Sequence, residues 1–146
     1  MTTKSKIKRI LKNRIMLLDG AWGTELQKQG LPAGACPELW TLENPAPMVE
    51  IHRAYSDAGS DMISTCTFGG NRLKLNQYGV SNIAETNRCL AALAKNAVGN
   101  KTLVAADIGP TGHFVEPFGD LSFEEAVRIY QEQIRGLIDG GVDLLI

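Results

Sequence analysis

Cysteine is sparse and scattered in this 146-residue chain: Cys36, Cys66 and Cys89 lie far apart, with no CxxC spacing. That argues against a disulfide framework and a self-contained zinc knuckle, and it fits a reducing, cytoplasmic setting. Long apolar runs are missing too. None approaches the ~20 residues that cross a bilayer, so no membrane partner is expected. Charge of one sign does not prevail either, because 15 basic and 16 acidic residues leave a formal net charge of -1. Such a chain offers a polyanion no basic face, so no nucleic-acid partner is expected. The opening Lys4, Lys6, Lys8, Arg9 and Lys12 are followed by no apolar h-region and no small-residue cleavage site. They read as a solvated helix over residues 5–12 rather than a targeting signal.

What remains has the composition of ordinary soluble protein, 44% hydrophobic and 21% charged, in a length suited to one domain. Residues 15–18 form a short apolar run ending in Asp19-Gly20, a buried strand running into a tight loop. Pro45 and Pro47 punctuate the chain before Met48, Val49, Ile51, His52, Ala54 and Tyr55, whose spacing predicts a helix stopping at Gly59. Residues 61–67 follow as strand two, residues 82–98 as a helix ended by Gly99-Asn100, and residues 102–108 as strand three. Ser122 with Glu125 three residues on is a capping box, opening a helix that stops at Gly140-Gly141. Residues 142–146 then begin a fourth strand. A weak internal echo, Ala58-Gly59-Ser60-Asp61-Met62-Ile63 against Gly140-Gly141-Val142-Asp143-Leu144-Leu145, marks two equivalent helix-to-strand loops.

Strands alternating with helices, and apolar enough for burial on both faces, indicate an α/β protein with a parallel sheet. An open doubly wound sheet and a (β/α)8 barrel both satisfy this order. A barrel typically needs ~250 residues, whereas Ile146 falls inside an apolar run, in an unfinished fourth unit. The expectation is therefore a truncated (β/α)8 TIM barrel, about the first four strand-helix units, occupying residues 1–146.

In a parallel barrel, functional groups gather at the C-terminal ends of the strands. Asp19-Gly20-Ala21 follows strand one, Thr65 to Asn71 follows strand two, and Asp107-Ile108-Gly109-Pro110-Thr111-Gly112 follows strand three. Asp19 could hold a substrate ammonium through charge-assisted hydrogen bonds. Gly20 and Gly23 allow close backbone approach, and Thr65, Thr67 and Asn71 offer neutral donors and acceptors. The plainer alternative is that Asp19 caps a turn, the threonines follow strand propensity and the glycines serve loop geometry.

The run Leu17-Leu18-Asp19-Gly20-Ala21-Trp22-Gly23-Thr24-Glu25-Leu26, then His52-Arg53-Ala54-Tyr55 and Ala58-Gly59-Ser60-Asp61, resembles the homocysteine-binding domain of cobalamin-dependent methionine synthase and its relatives. Residues 65–71, Tyr78-Gly79 and Ala106-Asp107-Ile108-Gly109-Pro110-Thr111-Gly112 continue the likeness in the same order, over nearly the whole chain. The resemblance to the homocysteine S-methyltransferase family implies a (β/α)8 barrel in which three cysteine thiolates hold Zn2+ and the metal takes the homocysteine sulfur. The resulting thiolate accepts a methyl group, giving methionine.

The family's zinc cysteines and its acidic ammonium partner lie in later units, so no catalytic residue and no metal ligand is assigned here. The resemblance implies substrate binding through Asp19 and the backbone of Gly20 and Ala21, with Thr67 and Asn71 in second rank. The implied donor is methylcobalamin on a corrinoid protein or domain, or a methylated small molecule. An alternative reading is a non-catalytic half-barrel that pairs with a separate C-terminal half or a second copy, since an open sheet exposes its edges.

Overall fold

The computed structural model describes residues 3–146 as an α/β fold. Its order is α1 (Thr3–Leu11), α2 (Gly23–Lys28), α3 (Pro37–Glu43), α4 (Pro45–Asp57), β1 (Met62–Ser64), α5 (Arg72–Leu75), α6 (Ile83–Val98), β2 (Leu103–Ala106), α7 (Phe123–Asp139) and β3 (Leu144–Leu145). The sheet is open, three-stranded and parallel in the order β1-β2-β3. Met62 stands opposite Leu103, and Ala105 opposite Leu144. This is a partial barrel-like arrangement, not a closed eight-stranded barrel.

The strand expected over residues 15–18 is reduced to one parallel bridge, Leu18 to Met62. Leu17 still accepts from the Asp61 and Met62 amides at 2.8 and 3.2 Å, and Asp19 N–H donates to Met62 at 2.9 Å. With β1 as its sheet neighbour, this segment leaves Ile15 82% exposed and Leu17 59% exposed, so the expected burial is absent among the described residues. Strand two is shorter than residues 61–67 because the Thr67 amide turns back to the Thr65 carbonyl at 2.9 Å and leaves the ladder.

Three short helices, α2, α3 and α5, were not legible as helices. For α4 the prolines open the helix instead of preceding it: Pro45 occupies the first turn, where a missing N–H costs nothing. The two longest helices start as expected, with Asn82 accepting from Glu85 N–H and Ser122 from Glu125 N–H, each at 3.2 Å. They then pack closely. A β-carbon at Gly136 would lie 2.1 Å from the Ala84 carbonyl oxygen, so the glycine is what lets α7 approach α6. Behind the sheet, Ile63 and Val104 pack with Ala94 and Val98 of α6, and Ala106 with Ala91 and Leu137.

The internal echo has a structural counterpart. Asp61 N–H donates to the Leu17 carbonyl while Leu17 N–H donates to the Asp61 carboxylate at 2.9 Å. Asp143 repeats the pair with Val104, N–H to carbonyl at 2.8 Å and Val104 N–H to carboxylate at 2.9 Å. Each acid also meets a base, Arg14 for Asp61 and Lys95 for Asp143. The result fixes strand register at the N-terminal end of the sheet.

Candidate functional site

The opposite end gathers the loops that follow the strands. Asp19 is half-buried, and its carboxylate accepts from Ser64 N–H at 2.9 Å and from the Ser64 hydroxyl at 3.0 Å. Burial pushes the Asp19 carboxyl up from its usual value; the Ser64 hydrogen bonds oppose this and the charge of Asp107 adds to it. Asp107 is likewise raised, first by burial and then by the charge of Glu38. Three carboxylates on three separate elements therefore share one electrostatic neighbourhood.

Among the described residues, none of the three has a basic partner. Among the described residues, the other carboxylates that are not exposed face Lys or Arg: Glu25, Asp61, Glu125, Glu132 and Asp143. A carboxylate shielded from water and left without a counter-ion is costly; here Asp19 is compensated by hydrogen bonds from Ser64, and Glu38 by those from Gly69 N–H and the Cys36 thiol.

Gly20 and Ala21 are exposed, and among the described residues neither amide donates a hydrogen bond. The Tyr55 hydroxyl holds this loop by donating to the Ala21 carbonyl at 3.1 Å. A β-carbon at position 20 would lie 2.8 Å from that hydroxyl oxygen, which explains the glycine.

Thr67 and Asn71 are fully buried, and their side chains join loops. The Thr67 hydroxyl donates to the Asp107 carbonyl at 2.8 Å, and the Thr65 hydroxyl accepts from Asp107 N–H at 3.1 Å. Asn71 caps α5 by accepting from Lys74 N–H at 3.2 Å and donates to the Pro110 carbonyl at 3.3 Å. Thr67 and Gly70 are held from behind: Gln133 donates to the Thr67 carbonyl at 2.8 Å and Asn87 to the Gly70 carbonyl at 2.7 Å. The structure thus brings the segments around Asp19, Thr67 and Asp107 to one end.

A cleft of about 410 Å³ opens beside them, lined by Trp22, Glu38, Phe68, Gly69, Lys74 and His113 among others. The five residues expected from the sequence to bind substrate are not in its lining, although Trp22, Phe68 and Gly69, from the same loops, are. Sequence reasoning missed Glu38, which is 3% exposed and accepts from Gly69 N–H at 2.6 Å. The signal was Pro37-Glu38, a helix start, preceded by Cys36 as the N-cap of α3.

Among the described residues, no group of three or more His, Cys, Asp or Glu side chains is placed to hold a metal ion. Burial pushes the Cys36 thiol up to about 11 and raises those of Cys66 and Cys89 as well, which disfavours the thiolate a metal needs. His52 is fully buried on α4 with both ring nitrogens lacking hydrogen-bond partners, and burial lowers it to about 4. No helix among the described residues is long and apolar enough to cross a membrane.

Comparison with known proteins agrees with this architecture. The homocysteine methyltransferase MmuM from Escherichia coli is similar in its oxidised form at 25% identity and a TM-score of 0.80, over 95% of this chain and 55% of that one. Its metallated form matches at 24% identity and a TM-score of 0.75, over 92% and 54%, and supports the fold alone. Its apo form matches at 25% and 0.65, over 93% and 50%. The chain therefore spans about half the length of these solved relatives. The family described as homocysteine S-methyltransferase matches residues 16–146, and the chain belongs to that family.

Proposed function

We propose that this chain is the amino-acid-binding part of a homocysteine S-methyltransferase, gripping the polar head of homocysteine at the C-terminal end of its sheet. The observation that carries this reading is the grouping of Asp19, Glu38 and Asp107, not exposed and, among the described residues, without basic partners, beside a loop in which Gly20 and Ala21 are exposed and their amides donate no hydrogen bond among the described residues. Asp19 accepts the substrate ammonium, whose charge favours the carboxylate that burial, with a smaller part from Asp107, disfavours. The Gly20 and Ala21 amides donate to the substrate carboxylate, and Thr67 and Asn71 act from behind by fixing the loops. Family membership and the resemblance of the strand-end motifs support homocysteine as the amino acid.

Methyl transfer to the homocysteine sulfur belongs to the complete family domain. The residues present here do not fit the zinc that the resemblance implies, so no step of that chemistry is assigned to them. The methyl donor, methylcobalamin on a corrinoid protein or domain or else a methylated small molecule, belongs to the same reading and comes from outside these residues.

Calorimetric titration of the chain with homocysteine tests the binding role. Saturable binding that weakens in Asp19→Asn is expected; no binding, or the same affinity in the variant, would contradict it. A second reading, a half-barrel that pairs with a separate half or a second copy, is favoured by the exposure of Ile15, Leu17, Leu145 and Ile146 at the two sheet edges. Sedimentation equilibrium of the chain distinguishes self-pairing from a monomer.

A further inference from the structure

The turn between Thr67 and Asn71 is held from behind by Asn87 and Gln133, and beside it by the Asp107 and Pro110 carbonyls. From the side of α3 it is held by Glu38 Oε1, which accepts from Gly69 N–H at 2.6 Å. The other carboxylate oxygen accepts from the Cys36 thiol at 3.2 Å, so the side chain is fixed at both atoms. The backbone comes close enough for this bond because residue 69 is glycine: a β-carbon there would lie 2.7 Å from Glu38 Oε1.

A buried carboxylate without a counter-ion is normally disfavoured. Lys74, the lysine lining the same cleft, makes no ion pair with Glu38; its ammonium lies over the Phe68 ring, 5.1 Å from the centroid. What Glu38 gains in exchange is a charge-assisted hydrogen bond to a backbone amide, stronger than a neutral acceptor would make. That placement is expensive for stability alone, and it sits at the turn on which the geometry of the cleft depends.

Resting on the amino-acid site proposed above, we infer that Glu38 is its positioning residue: by holding the Gly69 amide it fixes the turn that carries Thr67 and Asn71, and through Thr67 the backbone of Asp107. Glu38 lines the cleft, and its positioning role is exerted through the turn it holds. If Gly69 shifts, Thr67 moves relative to the Asp107 carbonyl, and the separation of Asp107 from Asp19 changes with it.

Glu38→Gln, Glu38→Ala and Gly69→Ala test this in the 146-residue chain, with homocysteine affinity from calorimetry and the Gly69 amide followed by NMR. Losing a hydrogen bond to a charged group is worth about tenfold in affinity. Glu38→Ala and Gly69→Ala are expected to bind homocysteine about tenfold more weakly, while Glu38→Gln, which keeps an acceptor oxygen, returns to within about threefold of the parent. Parental affinity in both alanine variants, or a glutamine variant as weak as alanine, would overturn the positioning role. Should Glu38→Ala fail to fold, Gly69→Ala and Glu38→Gln decide by the same criteria. Absence of binding by the parent would contradict the proposed function. The Gly69 amide then decides the positioning role: its resonance and exchange protection, with those of Thr67 and Asp107, must change in Glu38→Ala or Gly69→Ala and persist in Glu38→Gln, and any other pattern overturns it.

Discussion

The two ends of the parallel sheet use the same residue type in opposite ways. At the N-terminal end Asp61 and Asp143 each close a reciprocal pair with the neighbouring strand and each meet a base, Arg14 or Lys95. At the C-terminal end Asp19 and Asp107 are partly buried and Glu38 fully so, and among the described residues none of the three meets a base. The paired acids set strand register. On the function proposed above, the unpaired ones serve recognition, so that stability lies at one end and binding at the other.

Acidification affects both ends, but its largest effect comes from neither. His52 is lowered to about 4 from 6.5, so the unfolded chain binds more protons between those values. The stability this represents is fully present above pH 6.5 and is lost as pH falls towards 4, about 3 kcal/mol in all. We expect the thermal midpoint to fall across that window in the parent and to stay level in His52→Leu; an unchanged slope in the variant would contradict the assignment. Once that slope is removed, the two ends carry opposite signs. Asp61, held at about 2 chiefly by Arg14, contributes stability above its usual 3.8 that is lost as pH falls towards 2. Asp19 and Asp107 are raised, so their contribution is present at low pH and lost as pH rises through their folded values.

Asp143→Ala breaks the register end directly, leaving Val104 N–H and Lys95 without their partner. Urea unfolding is expected to show a loss of about 2 kcal/mol, with homocysteine affinity of the folded protein unchanged. Asp19→Asn should do the reverse. Its amide oxygen can still accept from Ser64, so stability changes little, while homocysteine affinity falls about tenfold. Equal losses of stability in the two variants would erase the distinction between the ends. The smallest effect is expected for Arg14→Met, because the exposed guanidinium can be replaced by water and Asp61 keeps the Leu17 amide. A thermal midpoint that barely moves, and moves less still in high salt, is the outcome to check.

The alternation of helix and strand was legible because α6 and α7 announce themselves twice, by an N-cap and by a repeating apolar face. Parallel pairing followed from apolar strands separated by helices. The short helices were not legible: α3 has seven residues and α5 four, too few for periodicity to show. Asp19, Thr67 and Asn71 could be placed at strand ends, yet their partners could not. Thr67 meets Asp107 across 40 positions and Asn71 meets Pro110 across 39, and no local pattern encodes such distant contacts. Glu38 stayed hidden for the same reason, since its partner is an amide 31 residues on, and charge ordinarily signals exposure. The spacing of residues 48–55 places His52 on a helix, but its complete burial depends on how α4 packs, which that spacing alone does not determine.

The most direct test of the account is an NMR titration of the chain with homocysteine, and in parallel with 4-mercaptobutanoate, which has the same thiol and carboxylate but no ammonium. The account predicts that homocysteine shifts the amides of Gly20, Ala21, Gly69 and Asp107, leaves those around Asp61 and Asp143 unmoved, and binds at least tenfold more tightly than its deaminated counterpart. Equal binding of the two compounds, or shifts centred on Asp61 and Asp143, would contradict it.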